Sequence, residues 1–243
     1  MVDRPTVLLP IRVLERDSIP DGIPELLANA HIILLGYHVV PDQTPTGQAE
    51  MQFEERTATR LDNLEELLLK AGATVEVRMV FTHQAQQTID RINQEHDCDA
   101  IIVPSATTEP ERVLVPIAGQ VGVDRVSRVV AGLFGDTDVH VTLFHVLEDV
   151  ETKEDAETLL EGVIDHLTGL GFDPDSISIE IEVAKSALDA IIDASGSYDA
   201  VVIGESDPTL ITYIFGLPAE QVAEQFLGPV IVVQRPRPDP EGL

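Results

Sequence analysis

The chain is written twice, and this constrains its fold more than any other feature. Val7-Leu8-Leu9-Pro10-Ile11 returns as Val113-Leu114-Val115-Pro116-Ile117, and Tyr37-His38-Val39-Val40 returns as Phe144-His145-Val146-Leu147. Asp99-Ala100-Ile101-Ile102-Val103 returns as Asp199-Ala200-Val201-Val202-Ile203, so the order is kept at offsets of 100 to 107 residues. A period of about a hundred residues indicates a duplicated domain, since solenoid repeats run at roughly 20–50. The expected units are 1–109 and 110–243. The copies are unequal. The second continues beyond Gly204 to a further apolar run, Val230-Ile231-Val232-Val233, which has no counterpart in the first.

Within each copy, short Val/Ile/Leu runs alternate with amphipathic stretches, the mark of βα units around a parallel sheet. The runs are nearly continuous rather than alternating, as strands covered on both faces must be. Copy one places strands near Thr6–Ile11, His31–Val40, Thr74–Thr82 and Ala100–Pro104. A long helix is expected over Gly47–Ala71, with Met51, Leu61, Leu64, Leu67 and Leu68 on its apolar stripe, Lys70 in its last turn and Gly72 as its cap. Another is expected over His83–His96. Pro20, Gly22 and Pro24 leave the first connection only a short helix near Glu25–Asn29. Copy two places strands near Arg112–Ile117, His140–Val146, Ser178–Val183, Ala200–Gly204 and Val230–Val233. Its helices fall near Asp124–Phe134, Lys153–Gly169, Ser186–Ser195 and Pro218–Phe226.

Charge narrows the function. Asp and Glu number 43 against 15 Lys and Arg, giving a net charge of −28 spread along the whole chain. Nucleic acids and anionic membranes are bound by clustered Lys and Arg, so neither is an expected partner. Only three of the cations are lysines (Lys70, Lys153 and Lys185). Such a surface repels itself at low ionic strength and becomes tolerable where salt shortens the Debye length to about 3 Å at 1 M. The composition suits the cytoplasm of a halophile. No apolar run is long enough to span a bilayer, and no signal-peptide pattern is present, so membrane insertion is not expected. The single cysteine, Cys98, excludes an intramolecular disulfide framework.

The ordered motifs resemble the universal stress protein family: a first strand ending Val-Pro-Ile, a second closing on His-Val, a fourth running Asp-Ala-Val-Val-Ile-Gly and a last strand Gly228-Pro229-Val230-Ile231-Val232-Val233. The resemblance covers nearly the whole chain as two tandem units, the first truncated to four strands, and suggests a halophilic archaeon. It implies open parallel sheets ordered 3-2-1-4-5, with ligands at the carboxyl ends of the strands by the switch point. Nucleotide-binding members carry an acidic residue after the first strand. After the fourth strand they carry a first glycine, a second three positions on, and a third followed by Ser or Thr. Glycines admit backbone N–H groups to phosphate oxygens, and a helix N-terminus adds partial positive charge.

Copy two departs from that pattern. Gly204 matches the first glycine, but Asp207 stands at the second. Gly216 comes one residue early for the third, and Leu217-Pro218 follow it. Ala118 replaces the acid, Gly119 is kept, and Val146 closes the second strand beside them. Copy one has Pro104 at the Gly204 position and Arg12 after its first strand. Carboxylates of Glu205 and Asp207 in a phosphate cradle would repel a triphosphate. The expectation is therefore a degenerate pocket and no tightly bound cofactor, with ATP or another adenine nucleotide as the alternative.

Other residues have plainer readings. His38 and His145, at equivalent strand ends, are expected to bond backbone rather than ligand. Asp124 is read as the N-cap of its helix rather than part of an anion cradle. Arg125 and Arg128 are expected to pair with acids, and Glu95, Asp97 and Asp99 to be solvated loop acids. No Gly-x-Ser-x-Gly elbow or zinc spacing occurs, so neither hydrolysis nor a transition-metal site is indicated. The apolar segment Leu210–Phe215 either buries within its own copy or packs on a partner.

These readings combine into a non-catalytic stress-response or regulatory binding protein. The alternatives are a regulatory partner of a membrane transporter and a nucleotide-binding member with weak ATPase activity. Relatives in the family pair through their last strands. Val230, Ile231, Val232 and Val233 are accordingly expected to form the edge of a homodimer. The competing arrangement folds this strand against copy one's fourth strand within a single chain.

Overall fold

The computed structural model of the protein describes residues 3–14, 19–41, 43, 45–119, 121–147, 151–205 and 228–235. Nine strands form one sheet: β1 (Thr6–Arg12), β2 (His31–Val39), β3 (Thr74–Thr82), β4 (Ala100–Val103), β5 (Arg112–Pro116), β6 (His140–Val146), β7 (Ile177–Glu182), β8 (Ala200–Gly204) and β9 (Val230–Val233). They lie in the order β3-β2-β1-β4-β9-β8-β5-β6-β7. In each half the chain winds outward over three strands, then returns to the inner side of the first. The C-terminal half thus has the expected 3-2-1-4-5 order. Two switch points result, between β1 and β4 and between β5 and β8.

The edge position expected for Val230–Val233 is corrected. β9 pairs in parallel with β8, from Val201↔Val230 to Gly204↔Val233, and antiparallel with β4, from Ala100↔Val233 to Val103↔Val230. Both flanks are occupied within the chain, so this strand offers no edge to a second copy. The physical reason lies in β4. Its four apolar residues are buried but lack a fifth-strand neighbour from their own half, and β9 supplies both the hydrogen bonds and the apolar contact. All four β9 residues are at most 2% exposed. At about 1.5–3 kcal/mol per buried aliphatic side chain, β9 contributes roughly 6–12 kcal/mol before its ordering cost. Polar bonds fasten the same seam: Gln234 N–H donates to Asp99 O (2.8 Å), and Asn93 Nδ2 donates to Gln234 Oε1 (2.9 Å).

One face of the sheet carries α1 (Ile23–Leu26), α2 (Thr46–Ala71), α4 (Val123–Phe134) and α5 (Lys153–Gly169); the other carries α3 (Ala85–Glu95) and α6 (Ala187–Ser195). The first face holds an uninterrupted core through both halves, from Leu34, Leu61 and Leu68 across Ile231 and Val233 to Val141 and Leu160. The second face has two separate clusters, around Tyr37 and Ile92 and around Phe144 and Ile191.

Local chemistry explains the helix ends. Gly72, at φ 114°, stops α2 as expected, but the buried stripe of this helix is Leu61, Leu64 and Leu68, and Met51 and Leu67 are exposed. A capping box of Thr152 and Asp155 starts α5, and Ser186 caps α6 by accepting the Asp189 N–H at 3.2 Å. The duplication is least exact at the first helix. α1 has four residues where α4 has twelve. Pro24 restricts it, and Gly22 sits at φ 82° with a Cβ there only 2.6 Å from the carbonyl oxygens of Thr107 and Thr108.

Candidate site at the carboxyl ends of β5 and β8

Because β4 and β9 run antiparallel, the carboxyl ends of the two halves face opposite rims of the sheet. At the rim of the C-terminal half, β5 leads into Ile117, Ala118 and Gly119, β6 ends at Val146 beside them, and β8 ends at Gly204. The topology therefore brings these four matched positions, Ala118, Gly119, Val146 and Gly204, to one rim at the switch point, where open α/β sheets have their ligand crevice. Ala118 is exposed, and among the described residues a Cβ on Gly119 would meet nothing within 4 Å. Asp207, Gly216, Leu217-Pro218 and the run Leu210–Phe215 lie outside the described residues.

Asp124 is not the N-cap of α4. Gly122 holds that place in the left-handed region at φ 83°, without a side-chain cap. The Asp124 carboxylate instead pairs with Arg128 (2.9 Å) and His166 (3.1 Å). The first turn of α4 thus presents backbone N–H groups near the crevice, where the helix dipole is positive.

Glu205 also differs from expectation. Its N–H donates to Val233 O (2.8 Å), and its carboxylate accepts the Arg235 N–H (2.7 Å), which ties it to the exit of β9. Nearby, the Arg125 guanidinium crosses between the halves to Asp99 Oδ1 (3.3 Å). Asp99 Oδ2 accepts the Thr6 N–H (2.9 Å), so Asp99 is a tethering group and not a solvated loop acid. Glu95 pairs with Arg91 at 2.7 Å, and Asp97 takes φ 44°.

His145 bonds backbone as expected. Its buried ring donates from Nδ1 to Ile117 O (2.6 Å) and meets Glu151 Oε2 through Nε2 (2.8 Å). It thereby fixes the turn that carries Ala118 and Gly119 against the start of α5. His38 differs: its ring stands edge-on to Phe53 and Phe81, centroids 6.0 Å away, and in that half His83 is the histidine bonded to backbone, at Val40 O (3.0 Å).

The opposite rim is built otherwise. Arg12 Nε donates to the Tyr37 hydroxyl (3.2 Å), and Arg60 reaches from α2 to Val13 O (2.5 Å). Arg60 there bonds the backbone just past β1 and Arg12 bonds a side chain, where the C-terminal half has Ala118 and Gly119.

The tethering aspartates escaped the sequence reading, although the repeat held a signal for them. Asp99 and Asp199 occupy the same place in the repeat, before the fourth strands, and both accept N–H groups at the start of the first. Asp199 Oδ2 takes those of Arg112 (2.8 Å) and Glu111 (3.0 Å), and Oδ1 takes the Thr108 hydroxyl (3.0 Å). Burial opposes ionisation of Asp199, but these bonds and the Arg112 charge outweigh it and hold the carboxyl below its ordinary pKa.

An open, mostly parallel α/β sheet with a crevice at its switch point defines the architecture. That fold is shared with the universal stress protein from Archaeoglobus fulgidus DSM 4304, which is 17% identical at a TM-score of 0.63 over 95% of this chain and 96% of that one. A functionally unknown protein from Pseudomonas aeruginosa PAO1 is 16% identical at a TM-score of 0.45, over 96% of this chain and 92% of that one. An A. fulgidus universal stress protein in complex with dAMP is 22% identical at a TM-score of 0.37, over 51% of this chain and 97% of that one. No protein-family model matches the sequence, and no curated protein matches it. Among the described residues, no helix is long and apolar enough to cross a membrane.

Proposed function

We propose that this chain is a regulatory binding protein of the universal stress protein type, acting in a stress response without catalysing a reaction. It consists of two tandem units, 1–109 and 110–243, whose second unit keeps a degenerate ligand crevice. The reading is supported by the make-up of that crevice. Gly119 and Gly204 stand at the switch point, but Ala118 offers no acidic group where the family resemblance calls for one. The sequence adds Asp207 and Leu217-Pro218 at positions where a phosphate-binding loop needs glycine and a hydroxyl. Fold similarity does not fix function, so the argument rests on these residues.

Isothermal titration with Mg-ATP at molar KCl tests the reading. The expected outcome is a Kd no tighter than about 1 mM, or no binding. Micromolar affinity, or release of phosphate on incubation, would overturn it. A second reading, weak adenine-nucleotide binding, is favoured by one feature: the first turn of α4 has no side-chain cap beside the open turn at Gly119. Asp207→Gly combined with Ala118→Asp should strengthen nucleotide binding at least tenfold if that scaffold is competent.

A further inference from the structure

With β9 enclosed, the free edges of the sheet are β3 and β7. An unpaired edge is a template for another strand unless its side chains forbid pairing. The direction of the free backbone groups on β3 follows from its bonds to β2. Thr74 N–H donates to Ala30 O (3.1 Å), and Thr82 O accepts the Val40 N–H (2.8 Å). Even-numbered residues thus turn both backbone groups inward, so Val75, Val77 and Met79 turn theirs away from the sheet.

The charges on this edge are Glu76 and Arg78, half-exposed on one face and paired with each other. In an antiparallel pairing of two β3 strands about Val77, Val77 faces Val77 of the second copy, and Val75 faces Met79. These are the outward-turned residues, so each such pair exchanges two N–H···O bonds, about six in all. The same register sets each Glu76 opposite the other copy's Arg78, in the closely spaced pairs where side chains approach best. Centring on Arg78 would oppose like charges, and centring on Val75 or Met79 would leave both charges without an opposite partner. On the other face, Val75, Val77 and Met79 already pack on the core beneath Leu61, Leu64 and Leu68, so pairing would join two apolar layers. The β7 edge lacks this property. Its charges are Glu180 and Glu182 alone, and Ile181-centred pairing opposes one acid to the other.

We propose that β3 is a homodimer surface, pairing antiparallel with β3 of a second copy about Val77 to extend the sheet across a two-fold axis. Light scattering on the full chain at molar KCl should give about twice the 26.4 kDa chain mass. Arg78→Glu and Glu76→Arg should each reduce the mass to that of one chain, because each opposes like charges in the register. Mixing the two variants should restore a dimer, since every charge then faces its opposite; an intrachain role for the Glu76–Arg78 pair cannot produce that result. Val77→Pro removes an outward N–H without touching the bonds to β2, and should also give single chains with unchanged circular dichroism. A single-chain mass for the unmodified protein at its highest soluble concentration would overturn the proposal. So would a dimer that survives all three substitutions, or folded variants that fail to associate when mixed.

Discussion

The two carboxyl rims of the sheet descend from one repeated sequence yet are built in opposite ways. At the N-terminal rim, Arg60 bonds the end of β1, Arg12 bonds Tyr37, and His38 sits against Phe53 and Phe81. At the C-terminal rim, Ala118 and Gly119 have short side chains with no described neighbour at the Gly119 Cβ position, and His145 holds the turn from beneath. The difference teaches how duplication divides labour. Arg12 and Arg60 tie down the end of β1 in one copy, while the other has Ala118 and Gly119 at the matching turn and the proposed ligand site. The seam between them shows the same inequality, because one strand completes both copies.

The largest expected effect breaks that seam. Val232→Lys places an ammonium at a fully buried position between β4 and β8. It should destabilise the chain by several kcal/mol, read as a lower denaturant midpoint with both halves lost together. Dissociation into smaller, still folded particles would show instead that β9 serves association.

The next effect is carried by the whole surface. Lowering KCl from about 1 M to 0.1 M lengthens screening from about 3 to 10 Å, and the −28 charge should then lower the melting temperature. Each kcal/mol lost should cost about 2–4 °C. Calorimetry across a salt series checks this; a flat profile would dismiss the halophilic reading.

Asp199→Asn compares the two tethers. The folded pKa of Asp199 is lowered, so its contribution is present above the unfolded value of about 3.9 and is lost as pH falls through the folded one. The substitution should cost about 1 kcal/mol at neutral pH, allowing for solvent screening, and progressively less below about pH 4. Chemical denaturation at several pH values measures it, and a penalty constant with pH would assign the effect to geometry alone. The smallest effect belongs to Gly119→Ala, whose Cβ meets no neighbour among the described residues and which should change stability by no more than about 0.5 kcal/mol.

Much of this architecture was legible. Continuous Val, Ile and Leu runs located the strands, and the family resemblance implied the winding order of the C-terminal half. The choice between the two partners considered for β9, a second copy and β4, was not legible, because an apolar run declares that it must be covered without declaring by what. Asp124 misled for a related reason: a carboxylate near a helix start suits an N-cap, but Gly122 reaches the left-handed conformation that turns the chain there. At the candidate site, the glycine and alanine positions were matched through the family resemblance. The Arg125–Asp99 tether and the His145–Glu151 contact could not, since each joins residues that only the folded sheet brings together.

The pairing of β4 with β9 also has a consequence for biosynthesis. A ribosome adds about 5–20 residues per second, so β4 leaves the exit tunnel on the order of 10 s before β9 does. Throughout that interval the nascent N-terminal half carries an apolar four-residue edge with no neighbour, a template for any other emerging chain. Yield in the cell should therefore depend on whatever shields that edge during translation, and a slow-codon stretch between β4 and β9 would increase aggregation without altering a single residue of the finished protein.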